Sequence, residues 1–84
     1  MNVLITGGTS GLGKALARLW IARGARVAVL ARGAEGIEGA RAELPSLITI
    51  QGDIGRKDEV HRIAAQVELK LGTPDWIFHC ASTL

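Results

Sequence analysis

The stretch ITGGTSGLGKALA, residues 5–17, decides the fold of this chain. A short apolar run enters four glycines within residues 7–13, and a helical pattern of leucine and alanine follows. A strand that turns through glycines into a helix leaves unpaired backbone N–H groups and a partial positive charge at the turn. Because glycines let an anion approach that backbone closely, the stretch predicts a phosphate-binding turn.

Two kinds of phosphate-binding turn share this spacing. Residues 8–14 match the G-x-x-x-x-G-K spacing of a triphosphate-binding P-loop, whereas residues 6–13 match the T-G-x-x-x-G-x-G spacing of a dinucleotide-binding turn. A P-loop needs Ser or Thr after its lysine, since that hydroxyl binds Mg²⁺, and here Ala15 follows Lys14. The sequence therefore favours a dinucleotide bound without Mg²⁺, with Lys14 as an exposed helical lysine, and keeps a P-loop nucleotide-binding protein as the remote alternative.

Outward from the turn, the hydrophobic pattern alternates between the periods of strands and helices. Apolar strands joined by helices form a parallel sheet with right-handed crossovers and helices on both faces. We expect a βαβαβαβ chain of the α/β class, with strand order 3-2-1-4, as the first half of a doubly wound fold. The strands are expected at residues 2–6, 26–30, 47–51 and 75–80, and the helices at 11–23, 34–44 and 57–71.

Apolar residues at helical spacing predict the faces that pack on the sheet. In the first helix these residues are Leu12, Leu16, Leu19 and Trp20, and in the third they are Val60, Ile63, Ala64, Val67 and Leu71.

The fourth strand lies outermost in this order, so its apolar residues 76–78 are expected on an open edge of the sheet. An open apolar edge is a liability for pairing with another chain. We therefore expect self-association through this strand, or a homo-oligomer.

Composition bounds the remaining possibilities. The 84 residues are 48% hydrophobic and 21% charged, which is typical of one small globular domain or a piece of a larger one. The net charge of +2 comes from scattered residues, a pattern that does not favour nucleic-acid binding. No apolar run approaches the ~20 residues of a membrane span, and because a strand is expected at residues 2–6, we expect no signal peptide. Cys80 is the single cysteine, so we expect a cytoplasmic protein without a disulfide or a metal site.

The whole stretch TGGTSGLG, residues 6–13, resembles the cofactor turn of the short-chain dehydrogenase/reductase family. The resemblance implies a Rossmann-like fold and a nicotinamide dinucleotide as cofactor. The alternative is that the glycines serve only a tight strand-to-helix turn. The cofactor contacts that the resemblance implies in this turn are Gly7, Thr9, Ser10, Gly11, Leu12 and Gly13.

The end of the second strand bears on the choice between NADP and NAD. Dinucleotide folds place there, about 20 residues past the glycine turn, the group that meets the adenosine ribose. Ala31 occupies the position that is typically acidic in NAD-preferring members, and Arg32 follows it. Because a guanidinium binds a phosphate through paired, charge-assisted hydrogen bonds, the sequence predicts NADP rather than NAD. The alternative is that Arg32 is only a solvated loop residue.

Two further strand ends complete the expected site. Asp53 and Ile54 follow the third strand, where an Asp-hydrophobic pair borders the adenine in the family, although Asp53 could equally be a turn residue. The fourth strand ends in HCAS, residues 79–82, where family members carry Asn-Asn-Ala-Gly. That departure puts the side-chain hydrogen bonds of the motif in doubt. We expect Cys80, Ala81 and Ser82 to contact the cofactor. His79 and Cys80 are expected to fill the end of the strand, and the alternative is that they serve as a metal ligand or a nucleophile.

Members of the family reduce carbonyls or oxidise alcohols with a serine and a Tyr-x-x-x-Lys pair, in which the tyrosine is the general acid/base. This chain contains no tyrosine. Residues 1–84 are therefore expected to be the dinucleotide-binding segment of such an oxidoreductase. We expect this segment to lack catalytic residues and to be inactive alone. It would act on a small carbonyl or alcohol substrate only when the missing half is present. A non-catalytic NADP(H)-binding or interaction module is the alternative.

Overall fold

The computed structural model describes residues 1–80, and each predicted strand and helix is present. The strands are β1 (Asn2–Thr6), β2 (Arg26–Ala31), β3 (Ile48–Gln51) and β4 (Trp76–His79). The helices are α1 (Gly11–Ala22), α2 (Ala34–Glu43) and α3 (Val60–Lys70), and a 3-10 turn at Lys57–Glu59 leads into α3.

The strands form one parallel sheet in the order β3-β2-β1-β4, which confirms the predicted order. Thr6 at the end of β1 pairs with Leu30 on one side and with His79 on the other. Ala31 likewise pairs with Gln51 of β3. The carboxyl ends of all four strands therefore meet at one edge, where open α/β sheets bind their ligands.

Alternate residues of each strand face opposite layers, as the pleat requires. Helices α1 and α2 cover one face of the sheet, and α3 covers the other. The buried residues of the first layer are Val3, Ile5, Ala17, Val27, Val29, Ala40 and Leu47. Those of the second layer are Leu4, Ala28, Leu30, Ile50, Ile63, Val67 and Leu71.

Helix α1 packs on the sheet through smaller residues than its leucine pattern predicts. Gly13 and Ala17 are its buried residues, and Leu16 is partly buried as predicted. Leu12 and Leu19 were predicted on the same face but are 68% and 46% exposed. Because Gly13 lies directly against the turn, the helix meets the sheet along residues 13 and 17, which directs those two leucines outward.

Helix α3 shows a similar narrowing of the predicted apolar face. Ile63, Val67 and Leu71 are buried at four-residue spacing. Val60 and Ala64, predicted on the same face, are exposed. One stripe of side chains covers this face of the sheet, and Val60 and Ala64 lie beside that stripe.

Within residues 1–80, β4 pairs with β1 alone and forms the edge of the sheet. Trp76 and Ile77 are 53% and 51% exposed there. The ring of Trp76 stacks on that of Phe78 at a centroid distance of 6.3 Å. The prediction of an apolar open edge is confirmed for the part of the chain that the structure describes. In the same part, no helix has the length and apolar character needed to cross a bilayer.

Ion pairs join α1 to α2. Glu43 Oε1 accepts a hydrogen bond from Lys14 Nζ at 3.1 Å, and Glu43 Oε2 accepts one from Arg18 Nη2 at 2.9 Å. The hydrogen bond and charge of Lys14, with the charge of Arg18 in addition, hold the pKa of Glu43 below its ordinary value of 4.5. Lys14 is therefore a half-buried partner in an interhelix bridge and not the freely exposed lysine that the sequence predicts.

This lowered pKa makes the contribution of Glu43 to stability depend on pH. A carboxyl whose pKa is depressed by folding stabilises the fold above its unfolded value, near 4.5, and that contribution is lost as the pH falls through the lower folded value. We expect Glu43→Gln to lower the thermal midpoint slightly at neutral pH and low salt, and to have no effect in strong acid or at high salt. Glu38→Gln is the control, since Glu38 has no ion-pair partner within residues 1–80. Thermal unfolding followed by circular dichroism checks this, and an effect of Glu43→Gln that persists in acid would contradict it.

Candidate functional site

A groove of about 740 Å³ lies at the carboxyl edge of the sheet, between the turn after β1 and the loops after β2 and β3. It holds six of the predicted cofactor contacts, namely Gly7, Thr9, Ser10, Arg32, Asp53 and Ile54. The other lining residues are Thr6, Leu30, Ala31, Gly33, Gly52 and Gly55. Residues from three separate parts of the sequence thus meet at one site, as the strand order predicts.

The turn after β1 leaves the start of α1 without a side-chain cap. Gly7 adopts a left-handed conformation with φ +73°, and its N–H donates to Leu30 O at 2.7 Å, which ties the turn to β2. Ser10 occupies the N-cap position, but its hydroxyl donates back to Gly7 O at 2.9 Å. The N–H groups of Gly11 and Leu12 have no acceptor within residues 1–80, so this helix start presents free donors and a partial positive charge.

The four glycines of the turn have different structural roles. Gly7 needs its positive φ, and a Cβ on Gly8 would overlap the Val29 side chain. A Cβ on Gly13 would lie 2.5 Å from Gly7 O. Gly11 is different: its φ is not positive, and nothing lies within 4 Å of an added Cβ. The tight-turn alternative therefore accounts for three of the glycines, while Gly11 leaves open space beside the uncapped helix start.

Arg32 lines the groove together with residues of the glycine turn. Its side chain is exposed, and its guanidinium has no hydrogen-bond or ion-pair partner within residues 1–80. Ala31, the last residue of β2, is 8% exposed and places no carboxylate beside it. The end of β2 therefore offers a free cation without a neighbouring acidic group on that strand.

Asp53 stabilises the loop after β3. Its Oδ1 accepts a hydrogen bond from the Gly55 N–H at 2.9 Å, and its own N–H donates to Glu59 Oε1 at 3.3 Å. These bonds give Asp53 the turn role that the sequence left as an alternative. A carboxylate has two oxygens with about four acceptor sites, so this role leaves capacity for a ligand in the groove. Ile54 is 47% exposed beside it.

The remaining predicted residues lie next to the groove or outside the described part. Gly11, Leu12 and Gly13 form the first turn of α1 and adjoin the lining residues. Cys80 is half-buried, packs against the first core layer, and donates its N–H to Thr6 O at 2.8 Å. Ala81 and Ser82 lie outside the described residues.

The sequence did not single out several side chains around the groove. Thr6 Oγ1 lies 2.9 Å from His79 Nδ1, so the predicted strand-end histidine also supports the residue before the glycine turn. Gln51 and Glu59 form hydrogen bonds to the backbones of Arg32 and Asp53, and Arg62 donates to the Gln51 backbone carbonyl and to Glu59. Their positions near strand ends could have indicated that they lie near the groove. Their hydrogen-bond partners depend on how the strands and α3 pack, which sequence spacing does not predict.

The geometry does not support the remote P-loop alternative. The amine of Lys14, the lysine that a P-loop would direct at phosphate, binds Glu43 of α2 instead. Ala15 supplies no hydroxyl for Mg²⁺. Within residues 1–80, no three His, Cys, Asp or Glu side chains lie close enough together to hold a metal ion.

Comparison with known proteins gives consistent matches. The family model for short chain dehydrogenases matches residues 1–84. Ipsdienol dehydrogenase of Ips pini is 35% identical over 80 residues, which are 93% of this chain and 30% of that protein. The crystal structure of a short chain dehydrogenase from Bacillus anthracis superposes with a TM-score of 0.84 at 32% identity, over 96% of this chain and 35% of that one. An actinorhodin polyketide ketoreductase with NADPH superposes with a TM-score of 0.88 at 31% identity, over 98% and 33% of the two chains.

The chain thus spans 30% to 35% of the lengths of these relatives. The relatives are dehydrogenases and reductases, and the shared region is the amino-terminal part of their fold. Because the family model covers the chain from end to end, and solved members share its backbone at about one-third sequence identity, this chain belongs to the short chain dehydrogenase family.

Proposed function

We propose that residues 1–84 are the NADP(H)-binding segment of an oxidoreductase that transfers a hydride between the nicotinamide and a carbonyl or alcohol substrate. The observation that carries the proposal is Gly11, which neither conformation nor packing explains and which leaves space at an uncapped helix start. The family uses nicotinamide cofactors, and one similar structure contains NADPH.

The described residues fit the parts of a dinucleotide. The free N–H groups at the start of α1 suit the diphosphate, since a helix N-terminus attracts anions. The unpaired guanidinium of Arg32 suits the 2′-phosphate that distinguishes NADP from NAD. Asp53 and Ile54 provide an acceptor and an apolar surface for the adenine. The groove of about 740 Å³ lies within the usual range of ligand sites, roughly 300–1,000 Å³.

The bound cofactor would supply the hydride chemistry through its nicotinamide ring. The residues of this chain would bind and orient it, with Gly7, Thr9, Ser10, Leu12 and Gly13 supporting the diphosphate. Cys80, which follows β4, is proposed to contact the cofactor, as are Ala81 and Ser82, the next residues in the sequence.

We propose that this segment has no activity alone. The proton transfer that the family resemblance implies needs a tyrosine, and this chain has none. The substrate would then be chosen by residues that the chain does not contain. The sequence of any following reading frame separates this proposal from a non-catalytic NADP(H)-binding module, because a downstream Tyr-x-x-x-Lys would support the enzyme.

The proposal predicts binding of NADPH that is independent of Mg²⁺. NADPH added to the chain should show enhanced nicotinamide fluorescence or a calorimetric binding signal, with the same dissociation constant in EDTA and in Mg²⁺. The reason is that the phosphate-binding groups are backbone N–H donors and Arg32, without a metal-binding hydroxyl at Ala15. ATP binding that strengthens sharply with Mg²⁺ would contradict the proposal and favour a P-loop.

We also propose that the β4 edge mediates self-association of the 84-residue chain, because half-exposed Trp76 and Ile77 lie on a strand whose outer edge has no neighbouring strand within residues 1–80. Light scattering should show association that increases with concentration and that Ile77→Lys reduces. Leu69→Lys is the matched control, since Leu69 is 79% exposed and lies on α3 and not on β4. A monomer at all concentrations, or equal effects of both substitutions, would contradict this prediction.

A further inference from the structure

Gln51 connects the ends of two strands through its side chain. It is the last residue of β3 and pairs in register with Ala31 of β2. Its amide Nε2 donates to the backbone carbonyl of Arg32 at 3.1 Å. The backbone carbonyl of Gln51 accepts a hydrogen bond from Arg62 Nη2 of α3 at 3.1 Å. The Arg32 carbonyl is therefore bound by a side chain of β3, and the end of β3 is bound in turn by a side chain of α3.

A second anchor fixes the neighbouring loop. Glu59 Oε1 accepts hydrogen bonds from Arg62 Nη2 at 2.7 Å and from the Asp53 N–H at 3.3 Å. These residues surround a hollow of about 500 Å³ beside the groove, and Arg32, Gly52 and Asp53 line both spaces. Gln51 thus binds the backbone of Arg32 and Glu59 binds that of Asp53, while Arg62 donates hydrogen bonds to both Gln51 and Glu59.

The bond from Gln51 is important because it fixes Arg32, the residue between the last ladder bond of β2 and Gly33, the N-cap of α2, whose carbonyl accepts the Ile37 N–H at 3.3 Å. The last ladder bond between β2 and β3 runs from the Gly52 N–H to Ala31 O at 2.9 Å. Arg32 comes next, and Gly33 after it is permissive in conformation, with nothing within 4 Å of an added Cβ. Within residues 1–80, the Arg32 carbonyl has the Gln51 amide as its hydrogen-bond partner. Loss of this bond would leave the Arg32 carbonyl without that donor and loosen the peptide from which the guanidinium extends.

We infer that Gln51 is a positioning residue for cofactor preference: by holding the Arg32 backbone, it directs the guanidinium at the 2′-phosphate. This inference rests on the proposed function. Because NAD(H) lacks that phosphate, Gln51 should affect the binding of NADP(H) and leave the binding of NAD(H) unchanged. A residue that only stabilised the loop would affect both cofactors alike.

The test compares Gln51→Met with the parent in the full chain, by titration with NADPH and with NADH. Methionine keeps the approximate length of the side chain and removes the N–H donor. We expect NADPH to bind about 3- to 10-fold more weakly, as for the loss of one hydrogen bond, and NADH to bind as before. Thr49→Val is the matched control on the same strand, because the Thr49 hydroxyl has no hydrogen-bond partner within residues 1–80. Thermal unfolding of each variant establishes that it is folded.

A double-mutant cycle with Arg32→Ala shows whether Gln51 acts through Arg32. We expect Gln51→Met to have no further effect on NADPH once Arg32 is alanine. Three results would overturn this inference alone. The first is that the losses of NADPH affinity from Gln51→Met and Arg32→Ala are additive, and the second is that Gln51→Met weakens NADPH and NADH binding equally. The third is that Gln51→Met leaves NADPH affinity unchanged while Arg32→Ala weakens it. An unchanged NADPH affinity in Arg32→Ala would overturn the proposed NADP preference, and this inference with it.

Discussion

Replacing Gly13 with alanine is expected to lower the free energy of unfolding by about 2–3 kcal/mol, which is a large part of the stability of so small a chain. The added Cβ would lie 2.5 Å from Gly7 O and 2.6 Å from Gly8 Cα. Both neighbours are backbone atoms of the same tight turn, so they have no rotamer by which to move away. Urea unfolding followed by circular dichroism measures this loss.

Gly11→Ala is the matched control, two residues earlier in the same turn of helix. Nothing lies within 4 Å of its added Cβ, and alanine is the better helix former, so stability should be unchanged or slightly raised. The methyl group would instead stand where we propose that the diphosphate approaches, and dinucleotide binding should weaken about tenfold. Equal destabilisation by both substitutions would contradict the packing argument. Unchanged dinucleotide binding by Gly11→Ala would contradict the proposed diphosphate site at the start of α1.

Replacing Ala31 with aspartate is expected to reverse the cofactor preference. A carboxylate at the end of β2 would repel the 2′-phosphate and would compete for the Arg32 guanidinium, while it would accept hydrogen bonds from the free ribose hydroxyls of NAD(H). We expect NADPH to bind about 30- to 100-fold more weakly, equivalent to about 2–3 kcal/mol, and NADH to bind more tightly. Isothermal titration with each cofactor measures both changes.

Ala34→Asp is the charge-matched control for this reversal. Ala34 is exposed in the first turn of α2, three residues along the chain, so its substitution changes the net charge equally. We expect it to weaken NADPH binding far less, because screening in salt reduces the effect of an exposed charge away from the phosphate. Equal losses in Ala31→Asp and Ala34→Asp would contradict a specific role for the end of β2.

Local patterns predicted the fold well because each element carries its own signal. The glycines after Thr6 marked the first strand-to-helix turn, and Gly24 and Gly72, which lie just past the ends of α1 and α3, have positive φ angles. The sequence misassigned Leu12 and Leu19 because hydropathy cannot show that Gly13 brings α1 onto the turn. The closeness of that contact is a property of the assembled backbone, and it decides which side of the helix is buried.

The candidate site could be predicted only as far as chain position determines it. Strand order brought Arg32 and Asp53 to the edge where the glycine turn lies, and the groove contains all three. No sequence pattern connects Gln51 with the Arg32 carbonyl, which is 19 residues away along the chain. Such bonds depend on side-chain directions after packing. The different structural roles of the four glycines likewise could not be predicted, because they depend on neighbours that are close only in the folded chain.

The most direct test of the proposed NADP(H) site is a pair of calorimetric titrations, NADPH and NADH, on the parent chain and on Arg32→Ala. A charge-assisted pair of hydrogen bonds to an exposed phosphate is worth about 1.5–3 kcal/mol, or one to two decades in affinity. We predict that the parent prefers NADPH by about that factor and that Arg32→Ala removes the preference by weakening NADPH alone. Equal affinity of the parent for both cofactors, unchanged in Arg32→Ala, would contradict the proposal.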